Sequence, residues 1–272
     1  MSKPKIIVTR RWPAAVEAVL EERFETTLNR EDKPMSAGEL RAALNLYDAV
    51  LPTVTDKMTA EVLEHPARAR ILGNFGVGFN HIDTEAAKSA GLVVTNTPGV
   101  LTDATADIAL TLMLNVMRRT HEGESMLRAG EWTGWRPTQL MGTSPQGKTL
   151  GIVGMGRIGK AMAKRCHHAL DMKVVFYDAF PVSDPGVPAE QLDTVDDVLE
   201  AADVVSLHCP GGGDNIHLIN ADRLKRMKPT AFLVNSARGD IIDEAALVGA
   251  AEAGELAGAG HDVYEREPSV EA

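Results

Sequence analysis

Apolar residues recur along this chain in short β-rich runs, separated by stretches in which they fall three and four positions apart. In the first part the runs are KIIVT (5–9), DAVL (48–51), RILG (70–73) and LVVTN (92–96). Helical spacing lies between them, from about Pro13 to Arg23 and from about Thr84 to Ala90. Such alternation predicts parallel strands joined by crossover helices. A stricter alternation follows, with strands predicted at TLGIVG (149–154), KVVFYD (173–178), DVVSLHC (203–209), AFLVNS (231–236) and LAGAGHDV (256–263), and helices such as IGKAMAKRCHHAL and ADRLKRM among them. A long apolar helix starts at a cap-like Thr102 or Asp103 and ends at Arg118 and Arg119, where cations suit a helix C-terminus. The turn chemistry just before it places a domain boundary near Thr97 or Pro98. The predicted class is α/β, with two parallel-sheet domains over 1–97 and 98–272. SDPGVP (183–188) reads as an ordinary loop.

Composition narrows the partners. The chain has 272 residues and a net charge of −10, with no long block of Lys or Arg, so nucleic acid is a poor partner. The longest mostly apolar stretch, about Ala104 to Met117, is broken by Asp107 and Asn115 and is too short to cross a membrane. MSKPKIIVTRRWP runs straight into a strand without a hydrophobic signal core, which predicts residence in the cytoplasm. Cys166 and Cys209 fit no CxxC pattern, so two reduced structural thiols and no metal site are expected.

One loop changes the picture. GIVGMGRIGKAMA carries Gly154, Gly156 and Gly159 in GxGxxG spacing, after a predicted strand and at the start of a predicted helix. The first glycine permits a tight turn, the second lets a pyrophosphate approach the backbone, and the third lets helix and strand pack closely. Alone the pattern is weak, and a glycine-rich turn without ligand would explain it. The next strand ends at Asp178, 19 residues beyond Gly159, where a carboxylate can accept from an adenosine ribose diol and repel a 2′-phosphate. That context favours NAD. The same residues spell GxxxxGK from Gly154 to Lys160, but Ala161 follows where a nucleotide triphosphatase needs a hydroxyl for Mg²⁺.

LVNSARGDIIDEAAL (233–247), taken with FGVGFNHID, VTNTPGV, GMGRIG and the terminal DVYEREP, closely resembles the D-specific 2-hydroxyacid dehydrogenases along nearly the whole chain. TDATADIAL and GEWTGWRPT are most similar to the glyoxylate and hydroxypyruvate reductase (D-glycerate dehydrogenase) branch. The resemblance implies a flavodoxin-like substrate domain followed by a Rossmann NAD-binding domain, and an oxidoreductase reducing a small 2-oxoacid. Independent chemistry agrees with it at two places. Arg238 sits just past a strand end, and a planar guanidinium there can bind carboxylate and carbonyl oxygens together, although SARG alone could equally be a surface turn. The loop amides of Gly76, Val77 and Gly78 make a concavity suited to a carboxylate. By resemblance, Thr105, Ala237 and the amides of Arg157 and Ile158 touch the cofactor, Cys209 and Pro210 line its adenine side, and Asp262 faces the nicotinamide carboxamide. Trp135 is implied to cross a homodimer interface into the partner copy's substrate pocket.

The same resemblance gives the C-terminal acid its role. Glu267, 29 residues after Arg238, matches the family glutamate that orients a catalytic histidine and stabilises its charged form. Glu265 reads as a solvated neighbour. The family histidine follows in a Pro-His loop, yet five residues remain after Glu267, and the eight histidines offer no obvious substitute. His208 falls at a structural strand end, His167 and His168 in a helix, and His65, His121 and His217 on the surface. His81 and His261 depart from the family pattern, and packing is the expected role of each. The expectation is a shortened chain lacking its general acid, its last strand and the helix returning to the first domain, with activity impaired. A binding protein that responds to NAD without turnover, or a dehydrogenase for another 2-hydroxyacid, are the competing readings.

Overall fold

The computed structural model describes residues 2–270, which divide into two compact units, 2–101 and 102–270. The division falls at Leu101/Thr102, later than the turn at Thr97–Pro98. Thr97 N–H donates to the Gly76 carbonyl at 3.0 Å and so stays with the first unit, while helix begins only at Thr102.

The first unit runs β1 (Lys5–Val8), α1 (Ala14–Arg23), β2 (Glu25–Leu28), α2 (Ala37–Leu46), β3 (Ala49–Leu51), α3 (Ala60–Leu63), β4 (Ile71–Gly73), α4 (Thr84–Ser89) and β5 (Val93–Thr95). All pairings are parallel and the strand order is β2-β1-β3-β4-β5, the flavodoxin-like arrangement. Ile7, Val50 and Leu72 of the strands pack with Leu40 and Leu44 of α2 and Val62 and Leu63 of α3. Helix α2 is started by a capping box in which Ser36 and Glu39 each accept from the other's backbone N–H. β2 escapes the hydrophobic pattern because ETTL is polar and only half-buried.

The second unit runs α5 (Thr102–Arg118), α6 (Thr120–Arg128), β6 (Thr149–Val153), α7 (Arg157–Leu170), β7 (Lys173–Tyr177), β8 (Ala189–Gln191), α8 (Val195–Ala201), β9 (Val204–Leu207), α9 (Ala221–Leu224), β10 (Phe232–Asn235), α10 (Glu244–Glu252) and β11 (Gly258–His261). Its six parallel strands lie in the order β11-β10-β9-β6-β7-β8. Counted from β6, that is the 3-2-1-4-5-6 order of dinucleotide-binding sheets, with its switch point between β6 and β9.

Both faces of this sheet are covered. Leu150 and Ile152 of β6 point to a layer built with Met113 and Met117 of α5 and Met162 and Cys166 of α7. Val153 points to the opposite layer, with Val198 and Leu199 of α8 and Leu247 of α10. Two glycines let α5 lie close on β11: a Cβ at Gly258 would stand 2.6 Å from Val116 Cγ2, and one at Gly260 3.0 Å from Leu112 Cβ. Arg165 of α7 adds ion pairs to Asp103 and Asp107 of α5, at 3.0 and 2.7 Å. Met113 is wholly buried in this layer. Met113→Ala should therefore cost about 2–5 kcal/mol, read as a lower denaturant midpoint for the second unit.

Candidate active site

In an open parallel sheet the chain leaves every strand at the same edge, and ligands gather there at the switch point. The turn after β6 follows from its glycines. Gly154 takes φ +96°, and a Cβ on it would stand 2.7 Å from the Cys209 backbone nitrogen. Gly159, inside α7, would place a Cβ 2.3 Å from the Gly154 carbonyl oxygen. Fold geometry alone demands both. Gly156 differs: its φ of −74° suits any residue, and an added Cβ would meet nothing within 4 Å. It caps the N-terminus of the 14-residue helix α7, whose first residues are Arg157 and Ile158. Open space beside those amides is what a pyrophosphate requires.

Asp178 follows β7 directly. Its Oδ2 accepts the Met155 N–H at 2.8 Å and its Oδ1 the Phe180 N–H at 3.1 Å, so the acid braces the glycine loop as well as its own. Gln191 of β8 secures the stretch beyond: its Nε2 donates to the Phe180 carbonyl at 3.0 Å and its Oε1 accepts the Val182 N–H at 3.0 Å. Phe180 stands 75% exposed on this loop, an apolar surface beside the acid.

At the end of β9, burial holds the His208 imidazole neutral, with its pKa pushed down to about 4, and its Nε2 lies 2.9 Å from Ser206 Oγ. Burial likewise pushes the Cys209 thiol up to about 11 and Cys166 up to about 12, so both remain thiols at neutral pH. Among the described residues no group of three or more His, Cys, Asp or Glu could hold a metal ion.

Arg238 is presented by a turn that Asn235 builds. The buried Asn235 side chain accepts the Ala237 N–H at 3.0 Å and donates to the Arg238 carbonyl at 2.8 Å. Two close approaches fix the surroundings. A Cβ at Gly211 would lie 2.8 Å from Arg238 Cβ, and one at Gly239 only 2.0 Å from the Tyr264 carbonyl carbon. The segment carrying Glu267 therefore packs directly on the backbone beside Arg238. Asp262 N–H continues the ladder to the Asn235 carbonyl at 3.0 Å, and Glu267 Oε1 accepts the Tyr264 N–H at 2.9 Å. His261 is largely buried, which lowers its pKa, and its ring stacks on Tyr264 with centroids 6.2 Å apart.

The glycine loop, Asp178, Cys209, Ala237, Arg238, Asp262 and Glu267 are thus joined by one series of contacts in the second unit, and Thr105 lies in the first turn of α5. Trp135 stands apart. It is 82% exposed beside a cavity of about 350 Å³ lined by Met126, Leu127, Trp132 and Leu140. In the first unit, Asn74 holds the Gly76–Gly78 loop, donating to the Gly76 and Gly78 carbonyls at 3.2 and 3.0 Å, while Asn96 donates to that of Val77 at 2.8 Å. All three loop carbonyls are thereby used within the unit. His81 Nε2 lies 2.9 Å from Asn74 Oδ1, and Trp12 packs on Phe75 with ring centroids 4.8 Å apart.

Sequence reasoning missed the supporting residues. Asn74, Asn96, Gln191 and Asn235 carry no periodic signal, since each acts through side-chain bonds to loop backbone. Glu265 and His217 lie at the surface as the sequence suggested, but nothing in the sequence pairs them. They are bonded to each other, Nε2 to Oε1, at 2.9 Å.

Comparison with known proteins agrees with this geometry. Residues 110–272 match the D-isomer specific 2-hydroxyacid dehydrogenase, NAD-binding domain family. The glyoxylate reductase of Thermococcus litoralis is 42% identical over 272 residues, 98% of this chain and 82% of that protein. A protein of Thermus thermophilus superposes with a TM-score of 0.91 at 42% identity, over 98% of this chain and 84% of that one. The NADPH-dependent glyoxylate/hydroxypyruvate reductase of Sinorhizobium meliloti, in complex with NADP and malonate, gives 0.88 at 35% identity, over 99% and 82%.

The three glycines should separate on substitution. Gly156→Ala should leave stability within about 1 kcal/mol of wild type yet weaken NADH binding at least tenfold by fluorescence titration. Gly154→Ala, strained in φ and in collision with Cys209, should lower the denaturation midpoint itself.

Proposed function

The chain belongs to the D-isomer specific 2-hydroxyacid dehydrogenase family, and on that premise we propose that it uses NADH to reduce glyoxylate or hydroxypyruvate to the D-2-hydroxyacid. Membership makes it an oxidoreductase acting on CH–OH groups, with NAD as cofactor. The observation that carries the fuller reading is the packing of Gly239 against Tyr264, which puts Arg238 and the Glu267 segment side by side at the sheet edge bearing the glycine loop.

In this reading the Arg238 guanidinium holds the oxoacid carboxylate and its carbonyl oxygen, polarising the carbonyl and stabilising the negative charge that develops on oxygen. The Val77 and Gly78 amides bind the carboxylate, with Gly76, whose own N–H donates to the Asn74 carbonyl at 3.1 Å, shaping the loop. NADH, when bound, supplies the hydride that reaches C2. Glu267 would support the charged form of a histidine that protonates the new alkoxide, a role to which none of the eight histidines of this sequence is matched. Gly154, Gly156, Gly159 and the Arg157 and Ile158 amides cradle the pyrophosphate. Asp178 takes the ribose diol and disfavours a 2′-phosphate. Thr105, Cys209, Pro210, Ala237 and Asp262 complete the cofactor surface. The exposed Trp135 and its apolar cavity support a homodimer in which Trp135 enters the partner copy's pocket. Two free thiols suit the cytoplasm.

One observation favours the second reading, binding without turnover. The hydrogen bonds of His167, His208 and His217 run to Met172, Ser206 and Glu265, and His81 bonds Asn74, while Glu267 is engaged by Tyr264. NADH consumption with glyoxylate and hydroxypyruvate separates the two readings. The dehydrogenase reading expects turnover with NADH favoured at least tenfold over NADPH, and a loss of about 10²–10³ in kcat/KM for Arg238→Ala. Fluorescence-detected NADH binding with no oxidation by wild type supports the silent protein instead. Trp135→Ala should shift the sedimentation coefficient from dimer toward monomer.

A further inference from the structure

His217 and Glu265 come from segments 48 residues apart. His217 follows a 3-10 turn, Gly213–Asn215, and takes a left-handed backbone with φ +50°. Its N–H donates to the Asp240 carbonyl at 2.8 Å, and the next residues are tied to the same neighbour, with Ile219 N–H on the Ile241 carbonyl and Asp243 N–H on the Ile219 carbonyl, each at 3.0 Å. The loop carrying His217 is thereby fixed to the stretch just after Arg238 and Gly239. Glu265 is gripped twice. Its Oε1 lies 2.9 Å from His217 Nε2, and its own N–H donates to Glu244 Oε1, at the start of α10, at 2.7 Å. Between these grips Gly239 meets its backbone, where a Cβ would stand 2.5 Å from the Glu265 nitrogen. Two residues on, Glu267 closes the turn onto Tyr264 N–H.

We propose that His217 and Glu265 are positioning residues that clamp the Tyr264–Glu267 turn against the Arg238–Gly239 backbone and so aim the Glu267 carboxylate. The role rests on the reading of Glu267 given above; the clamp itself does not. A merely exposed ion pair contributes little. This one gains weight from backbone anchors at both ends, because releasing it removes the side-chain tie between the turn and the His217 loop and leaves contacts such as the Glu244 bond, the Gly239 packing and the His261–Tyr264 stacking.

The clamp is charged, so it responds to pH. His217 faces Glu265, Asp243 and Asp240, and Glu244 stands on the far side of Glu265. The hydrogen bond to Glu265 raises the His217 pKa above its ordinary 6.5, outweighing a partial loss of hydration. A raised value means that the stabilisation is complete below 6.5 and is lost as pH rises through the higher folded value.

The test is hydrogen exchange on the full chain, read as protection factors of the Tyr264–Glu267 amides from pH 6 to 9, for wild type, His217→Ala and His217→Gln. Wild type should lose protection across the His217 titration. His217→Ala should lose about threefold or more at pH 6. His217→Gln, which keeps a donor without titrating, should retain most of the protection and show no pH step, and it keeps the test open should the alanine variant fail to fold. In steady state kcat should fall while the KM for NADH stays put. Protection unchanged in His217→Ala, or a pH step that persists in His217→Gln, would overturn the clamp. Full protection effects with no turnover in wild type would uphold the clamp and count against the dehydrogenase reading alone.

Discussion

Backbone crossing backbone with no room for a side chain is the constraint on which the C-terminal edge of the second sheet depends. Gly154 passes His208 and Cys209, and Gly239 passes Tyr264 and Glu265, at separations a methyl group would violate. These crossings let loops from β6, β9, β10 and β11 share one small region. Without them the glycine-loop amides, the arginine and the carboxylate segment would belong to separate surfaces. Polar side chains then set each loop's shape: Asn235 under Arg238, Asp178 under Met155, Gln191 under Phe180. The division of labour is physical. Glycines permit proximity, and amides and carboxylates choose conformation within it.

Burial decides which titratable groups at this edge are chemically active. His208 is fully desolvated and stays neutral, and Cys209 is held as a thiol. Both therefore shape the site without exchanging protons near neutral pH. His217 differs, because it keeps partial contact with water and gains a carboxylate partner, so its charge persists higher on the pH scale. Neighbouring imidazoles in one unit thus titrate in opposite directions for reasons that are local and separable.

The strands that the hydrophobic pattern marked most plainly are the buried ones. β6, β9 and β10 are almost entirely buried and read as continuous apolar runs. Two of the four edge strands, β2 in ETTL and β8 in AEQ, are polar and half-exposed, and no apolar rhythm marks them. The glycine loop and Asp178 were legible because their chemistry is encoded in spacing along the chain. Glu265 and His217 were not, since nothing local relates residues 48 positions apart. The amide-bearing loop of the first unit was visible through its glycines, while Asn74, which shapes it, stood in the sequence as an ordinary polar residue.

If Asp178 takes the ribose diol as proposed, it serves two masters, and ligand choice is coupled to loop order. Each of its oxygens already receives a backbone N–H, one from the glycine loop and one from Phe180, so the carboxylate is a strut before it is a recognition group. A lineage drifting toward a phosphorylated dinucleotide could not simply discard the acid. Removing it would also unbrace Met155 and leave the 178–182 stretch to the Gln191 hydrogen bonds and the packing of Val182. The accessible route is a paired exchange, in which a neutral hydrogen-bonding side chain inherits the strut while a cation arrives elsewhere on the loop. On the proposed reading of Asp178, cofactor preference is thereby tied to the hydrogen bonds that order the glycine loop and the 178–182 stretch.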